Sequence, residues 1–294
     1  MQSNDLNTLI INGVVSVNHN ISGSVGVGGS GGNDDALLSG VWTKSSYSNS
    51  NITKLTPGFP DNVTLENVTE VGDYACEYSV GGKNWNLPNC LTIGNHAFRN
   101  NTKLISIDLP KCTTINLYAF DNCTNLVTAN IPKVTTVGSY GFANTGLQSL
   151  NLPECVTVNS YGFTNTALES VNLPKCETIG SNGFNGCVNL ANINLPAIKL
   201  VYDMAFKGNT QLSNVTLGET CSYIGGKAFD GCSSLTSFTI LATTPPEIGA
   251  TIFYNTPIQS GEGKIYVPST VVDTYKAATG WSAYATKIEA ISNE

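Results

Sequence analysis

One stretch of this chain says the same thing four times, and a chain that repeats at a short fixed period must stack rather than fold around one core. Leu109-Pro110-Lys111-Cys112 returns as Ile131-Pro132-Lys133-Val134, then as Leu152-Pro153-Glu154-Cys155, then as Leu173-Pro174-Lys175-Cys176. Behind each comes an apolar residue (Ile115, Val137, Val158, Ile179) and then a Phe. The Phe markers fall at Phe98, Phe120, Phe142, Phe163, Phe184, Phe206 and Phe229, spaced 22, 22, 21, 21, 22 and 23 residues apart. A unit this small cannot bury its apolar face alone, so its neighbours must cover it. The expected fold is a repeat solenoid.

Within a unit the clearest element is a strand. In Leu104-Ile105-Ser106-Ile107-Asp108-Leu109, Ile107 and Leu109 point one way while Ser106 and Asp108 point the other. The proline that follows removes a ladder donor and ends the strand. Parallel rungs about 4.8 Å apart follow from the stacking. The predicted connections between strands are irregular or short-helical. The length differences between units lie in these connections, as between Phe120–Leu126 and Phe142–Leu147.

Three segments are expected. Residues 1–60 form a β-rich anchoring and capping segment, 61–240 the repeats, and 241–294 a last repeat with a helical cap. In the first, Leu9–Asn18 and Ile21–Val27 alternate apolar and small residues, which reads as short strands. Their glycines make them weak alone, so a homo-oligomer held through residues 1–33 is expected. Gly28-Gly29-Ser30-Gly31-Gly32 reads as a linker, because no Lys-Ser/Thr follows at phosphate-loop spacing. At the other end, Ser269 or Thr270 is expected to cap a helix from Val271 to Ala278 that Gly280 ends. Val272, Tyr275 and Trp281 would cover the last turn.

The nine cysteines look like filler. Cys90, Cys112, Cys155, Cys176 and Cys221 share one repeat position with Val134 and Ile198. Cys123, Cys187 and Cys232 share another with Asn101, Thr145, Thr166 and Asn209. A residue exchangeable with Val or Thr behaves as a small buried group, so free thiols are expected.

The unit Ile224-Gly225-Gly226-Lys227-Ala228-Phe229-Asp230-Gly231-Cys232-Ser233-Ser234-Leu235 closely resembles the BspA-like class of leucine-rich repeats. So do the spacing Leu190-x-x-Ile193-x-Leu195 and the close from Thr243-Thr244-Pro245-Pro246 through Ile265-Tyr266-Val267-Pro268. The resemblance covers residues 61–290. It implies a β-rich leucine-rich repeat array, surface adhesion, and protein or matrix binding; similar arrays occur in phage tail and fibre proteins. It carries over no ligand residues, because the class is defined by core positions.

Two surfaces are candidate binding sites. The outward strand columns present Ser106, Asp108, Thr128, Asn130, Ser149, Asn151, Ser170, Asn172, Asn192 and Asn194, small donors and acceptors suited to a glycan or a protein strand. The bland reading is a solubilising ladder whose amides satisfy each other. The second surface is an aromatic stripe, Tyr74, Tyr118, Tyr140 and Tyr161, with His96 in the same column. Its bland reading is packing over the turn.

Net charge is −7, and charged residues make up only 12%, so a nucleic-acid partner is not expected. No apolar run reaches a membrane span, so no insertion is expected. Met1–Asp5 does not open a secretory signal. The two histidines lack partners at metal or catalytic spacing, and no nucleophile elbow occurs; neither cofactor, metal nor enzyme activity is expected. The leading expectation is therefore a recognition protein that binds a protein or glycan partner at a cell surface. A virion tail or fibre is the favoured setting, a secreted or cell-surface adhesin the rival, and a spacer without a ligand the third reading.

Overall fold

A computed structural model describes residues 61–65, 68–79 and 81–292, together with the backbone of two short strands, Thr8–Ile11 and Gly40–Trp42. The chain divides into two compact units, Met1–Val134 with Tyr140–Leu147, and Thr135–Ser139 with Gln148–Glu294. Each is a stack of parallel turns, so the expected repeat solenoid stands, built of parallel strands.

In the first unit the strand sheet runs Thr8–Ile11, Asn62–Leu65, Asn84–Asn86, Ser106–Asp108, Thr128–Asn130, every pair parallel. In the second, Ser149–Asn151 pairs with Ser170–Asn172 as a two-stranded sheet. A separate five-stranded sheet follows, in the order Asn192–Leu195, Asn214–Leu217, Ser237–Ile240, Lys264–Val267, Ile288–Ala290. Burial alternates as the sequence requires: in Asn192–Leu195 the two asparagines are exposed, while Ile193 and Leu195 are buried.

The connections are irregular, as expected, and each also carries a second short parallel strand that the sequence did not mark. The first unit has Val68–Val71, Thr92–Ile93 and Thr114–Ile115. The second has Thr136–Val137, Thr157–Val158, Thr178–Ile179 and three more. The residue that looked only like a core position behind each Pro is the inward half of that strand. A two-residue strand has no alternation to read, which is why the pattern hid it.

A tight turn follows, in which backbone N–H groups at alternate positions donate to the next turn: Tyr161 to Ser181 O, Phe163 to Gly183 O, Asn165 to Asn185 O. Between these elements sits a column of wholly buried Phe rings. Phe98–Phe120 and Phe120–Phe142 lie 5.2 and 4.9 Å apart in the first unit; Phe184–Phe206 and Phe206–Phe229 lie 5.4 Å apart in the second, their planes nearly parallel. Each buried Phe contributes about 1.5–3 kcal/mol, and each stacked pair about 0.5–1.5 more. Cys76 takes the Phe position of the first turn and is fully buried.

The C-terminal cap forms with different caps from those expected. A 3-10 turn, Ser269–Val271, leads into the helix Val272–Ala277, and no side chain caps either. Gly280 (φ 80°) instead opens a second 3-10 helix, Trp281–Lys287. The cap closes the stack by burying Tyr275 and Trp281, whose polar atoms reach into the last turns: Tyr275 Oη donates to Ala242 O and Trp281 Nε1 to Pro246 O, both at 2.8 Å. A four-residue helix, Pro257–Ser260, capped by Thr256, follows the tight turn of the last repeat.

The strand Thr8–Ile11 pairs with the chain's own Asn62–Leu65. The rest of residues 1–33, on which the homo-oligomer expectation rests, lies outside the described residues.

Candidate functional site

Each outward strand column is tied along the stack by its own side chains. In the first unit Asn84 Nδ2 donates to Asn62 Oδ1 (2.8 Å), Ser106 Oγ to Asn84 Oδ1 (2.7 Å) and Asn130 Nδ2 to Asp108 Oδ1 (2.7 Å). In the second, Asn172 Nδ2 donates to Asn151 Oδ1 and Asn214 Nδ2 to Asn192 Oδ1, each at 2.8 Å. The amide bonds all run in one direction, the later turn donating to the earlier. A laddered amide still keeps an N–H for solvent, so the bland and the functional readings are not exclusive. Ser106 and Asp108 are half-buried; Thr128, Asn130, Ser149, Asn151, Ser170, Asn172, Asn192 and Asn194 are exposed.

The strand sheet is interrupted once within the second unit. The backbone sheet breaks between Ser170–Asn172 and Asn192–Leu195. The N–H of Ala191 reaches Glu169 O at 3.5 Å, whereas the equivalent contacts on either side, Glu169 to Gln148 and Ser213 to Ala191, are 2.8 and 2.9 Å. Neither outward column bridges the gap: among the described residues no hydrogen bond joins Ser170 to Asn192 or Asn172 to Asn194. Here the face opens into a cleft of about 400 Å³, lined by Ser149, Asn151, Ser170, Asn172 and Asn194, with Leu150 and Val171 between them and Pro174 and Pro196 side by side along one edge. The prolines were read only as strand terminators. Nothing in the sequence marked the break.

The aromatic stripe sits on the turn. Tyr74, His96, Tyr118 and Tyr140 stack face to face, with centroids 4.7, 4.9 and 4.5 Å apart. The Arg99 guanidinium lies 5.3 Å from the Tyr118 centroid. These rings spend their faces on one another and turn their edges outward. Their backbone explains the column: Tyr74, His96, Tyr118, Tyr140 and Tyr161 all have φ between 55° and 61°, a left-handed conformation that costs a non-glycine residue roughly 1–2 kcal/mol. Four residues on, the second left-handed position takes Tyr78 in the first turn, then Asn100, Asn122, Asn144, Asn165, Gly186, Gly208 and Gly231, residues that, Tyr78 apart, tolerate it. Burial and the nearby Arg99 charge hold the His96 imidazole below its usual pKa, against the weaker opposite pull of Asp73 and Asp121.

The cysteines are free and buried. Burial raises their thiols, to about 11 for Cys90 and about 12 for Cys112, Cys155 and Cys176, while backbone N–H contacts offset part of it. Thiols so high are poor nucleophiles at neutral pH. Among the described residues no three or more His, Cys, Asp or Glu are grouped to hold a metal ion. No helix there is long and apolar enough to cross a membrane.

A family profile described as the BspA type leucine-rich repeat region matches residues 43–160 and 156–278, in six copies. Among solved structures, the chain is similar to a leucine-rich repeat protein from Bacteroides ovatus. They share 22% identity over 78% of this chain and 69% of that one, with a TM-score of 0.55. It is also similar to a leucine-rich repeat protein from T. pallidum (27% identity, 60% and 78% covered, TM-score 0.43). A third likeness is to a leucine rich cell surface protein from Faecalibacterium prausnitzii (19%, 80% and 89%, TM-score 0.38). The Bacteroides structure shows a shared fold. No curated protein matches the chain.

Proposed function

Because the chain belongs to the BspA-type leucine-rich repeat family, we propose that it is a non-enzymatic recognition protein that engages a protein or glycan at a cell surface through the outward face of its strands. The observation that carries this reading is the face itself: rung after rung of exposed, mostly uncharged Ser, Thr and Asn on a backbone fixed by parallel pairing. A surface preorganised in this way loses little conformational entropy on binding. The buried thiols, the absence of a grouped metal-ligand set among the described residues, and the scattered carboxylates favour binding over chemistry.

A virion tail and a bacterial surface are both settings for such a face. Tail and baseplate genes beside the coding gene would favour the first, and a secretion signal encoded upstream the second. The test of the function is attachment of the labelled full chain to cells, compared with the triple variant Asn130→Glu, Asn151→Glu, Asn172→Glu. Attachment should fall at least tenfold with the fold intact by circular dichroism. Unchanged attachment would place recognition elsewhere, and no attachment by either chain would favour the spacer.

A further inference from the structure

We propose that the cleft at the ladder break is a subsite for a neutral saccharide, a pyranose unit lying across the Ser170–Asn172 turn and the turn carrying Asn194. The proposal rests on reading the strand face as the recognition surface and assigns that surface one ligand class at one place.

The argument begins with what the break leaves unused. On the turns flanking the break two amide oxygens are occupied: Asn151 Oδ1 accepts from Asn172 and Asn192 Oδ1 from Asn214. At the break, Asn172 Oδ1 receives no amide from the next turn. The side chains of Asn194, Ser149 and Ser170 have no partner among the described residues. Two hydroxyls, one whole amide and one amide oxygen therefore point to the same space. An amide offers a donor and an acceptor side by side, the complement of two neighbouring ring hydroxyls, each of which both donates and accepts. Turns about 4.8 Å apart set these groups side by side, spaced to meet successive hydroxyls of a ring lying across the face.

The edge fits the same ligand. Pro174 and Pro196 present C–H surface, which suits the apolar face of a pyranose. No Lys, Arg, Asp or Glu lines the cleft, so an anionic sugar, a phosphate or a charged peptide finds no counter-ion there. A peptide ligand needs either an aromatic or Arg anchor pocket or an open sheet edge to extend. The lining offers no aromatic or Arg anchor, and the cleft lies on the sheet face. At about 400 Å³ it falls within the range of small-ligand sites, roughly 300–1,000 Å³. A site this open and polar should bind one sugar unit with a Kd of about 1 mM, useful when many copies engage one surface.

The experiment is saturation-transfer difference NMR on the full chain with methyl glycosides of glucose, galactose, mannose and N-acetylglucosamine. Sialic acid, glucuronic acid and a blocked neutral tetrapeptide serve as comparison probes. At least one neutral glycoside should give a saturable signal that falls tenfold or more in Asn194→Ala. The signal should vanish in Ser170→Trp, which fills the cleft, and persist in Lys103→Ala, an exposed connection residue of the other unit. Unchanged melting temperatures for the variants keep the comparison fair. Signal from none of the four neutral glycosides, a preference for the acidic sugars or the peptide, or a signal indifferent to Ser170→Trp would overturn the proposal. Loss of the saccharide subsite with retained, face-dependent cell attachment would leave the recognition reading standing; loss of attachment as well would remove both.

Discussion

Asn209 shows how a single position reports on the stack. It is wholly buried in the second unit, and neither atom of its amide has a partner within the protein. In the same column Asn101 keeps one partner, its Oδ1 accepting from Leu104 N–H, and the Thr and Cys residues find theirs: Thr145 and Thr256 hydroxyls donate to the carbonyls of Phe142 and Phe253 at 2.9 and 2.7 Å, and Cys187 and Cys232 reach Phe163 O and Phe206 O. An unsatisfied buried amide costs about 1–3 kcal/mol. Asn209→Thr should therefore raise stability by about 1 kcal/mol, read as a higher urea midpoint at constant m-value. A loss of similar size would mean the amide is satisfied by something the protein itself does not supply. The left-handed tyrosines make a second residue-scale prediction. Tyr118→Asn and Tyr118→Ala both remove two stacking contacts, but only Asn tolerates φ 55°. Tyr118→Ala should be the less stable by about 1 kcal/mol, and equality would remove backbone strain from the account. The thiols add a pH dependence. Their folded pKa lies above the unfolded 9.0, at about 11 to 12. The unfolded chain therefore sheds thiol protons first, so stability holds below about pH 9 and falls as pH rises from there to about 12. Denaturant midpoints taken from pH 7 to 11 should trace that fall.

At the scale of elements, turns come closest where strand meets turn. Gly218 stands where earlier units have Pro, and a Cβ there would sit 1.8 Å from Pro196 O, a backbone atom that cannot swing aside. Gly218→Ala should destabilise the second unit by more than ~2 kcal/mol, seen as a lower urea midpoint; a neutral result would show that the strand turns slide more freely than their bonding implies. Much of this scale was legible in the chain. Ile193 and Leu195 alternate with Asn192 and Asn194, and a period-two pattern directly encodes which side is buried. The Phe column and the interchangeable Cys/Thr/Asn column announced inward positions, because only core sites keep their size from turn to turn. What escaped the sequence were the features set by neighbours rather than by pattern. The two-residue strand such as Thr114–Ile115 exists because the turn above supplies its partner. Tyr118 is among the last residues expected at positive φ, and it is held there with its ring between His96 and Tyr140. The helix cap assigned to Ser269 or Thr270 failed because a 3-10 turn precedes the helix and no side chain caps its first N–H groups.

At the scale of the whole molecule, the candidate site was half legible. The outward columns could be listed from the repeat alone, but the break between Ser170 and Asn192 could not, since both sides carry the same residue types. The low share of charge also shapes the expected binding. A face with few ionic contacts should attach to cells equally well at 0.05 and 0.5 M salt, because screening acts only on charges; a steep salt dependence would point to the charged edges instead. The most direct measurement is hydroxyl-radical footprinting of the full chain, free and bound to the envelope of cells to which it attaches. Pro174 and Pro196 report on the strand face, and Tyr74, Tyr118, Tyr140 and Tyr161 on the turn. The account predicts protection of the two prolines with the tyrosines unchanged. Protection of the tyrosines with the prolines still fully reactive would contradict it.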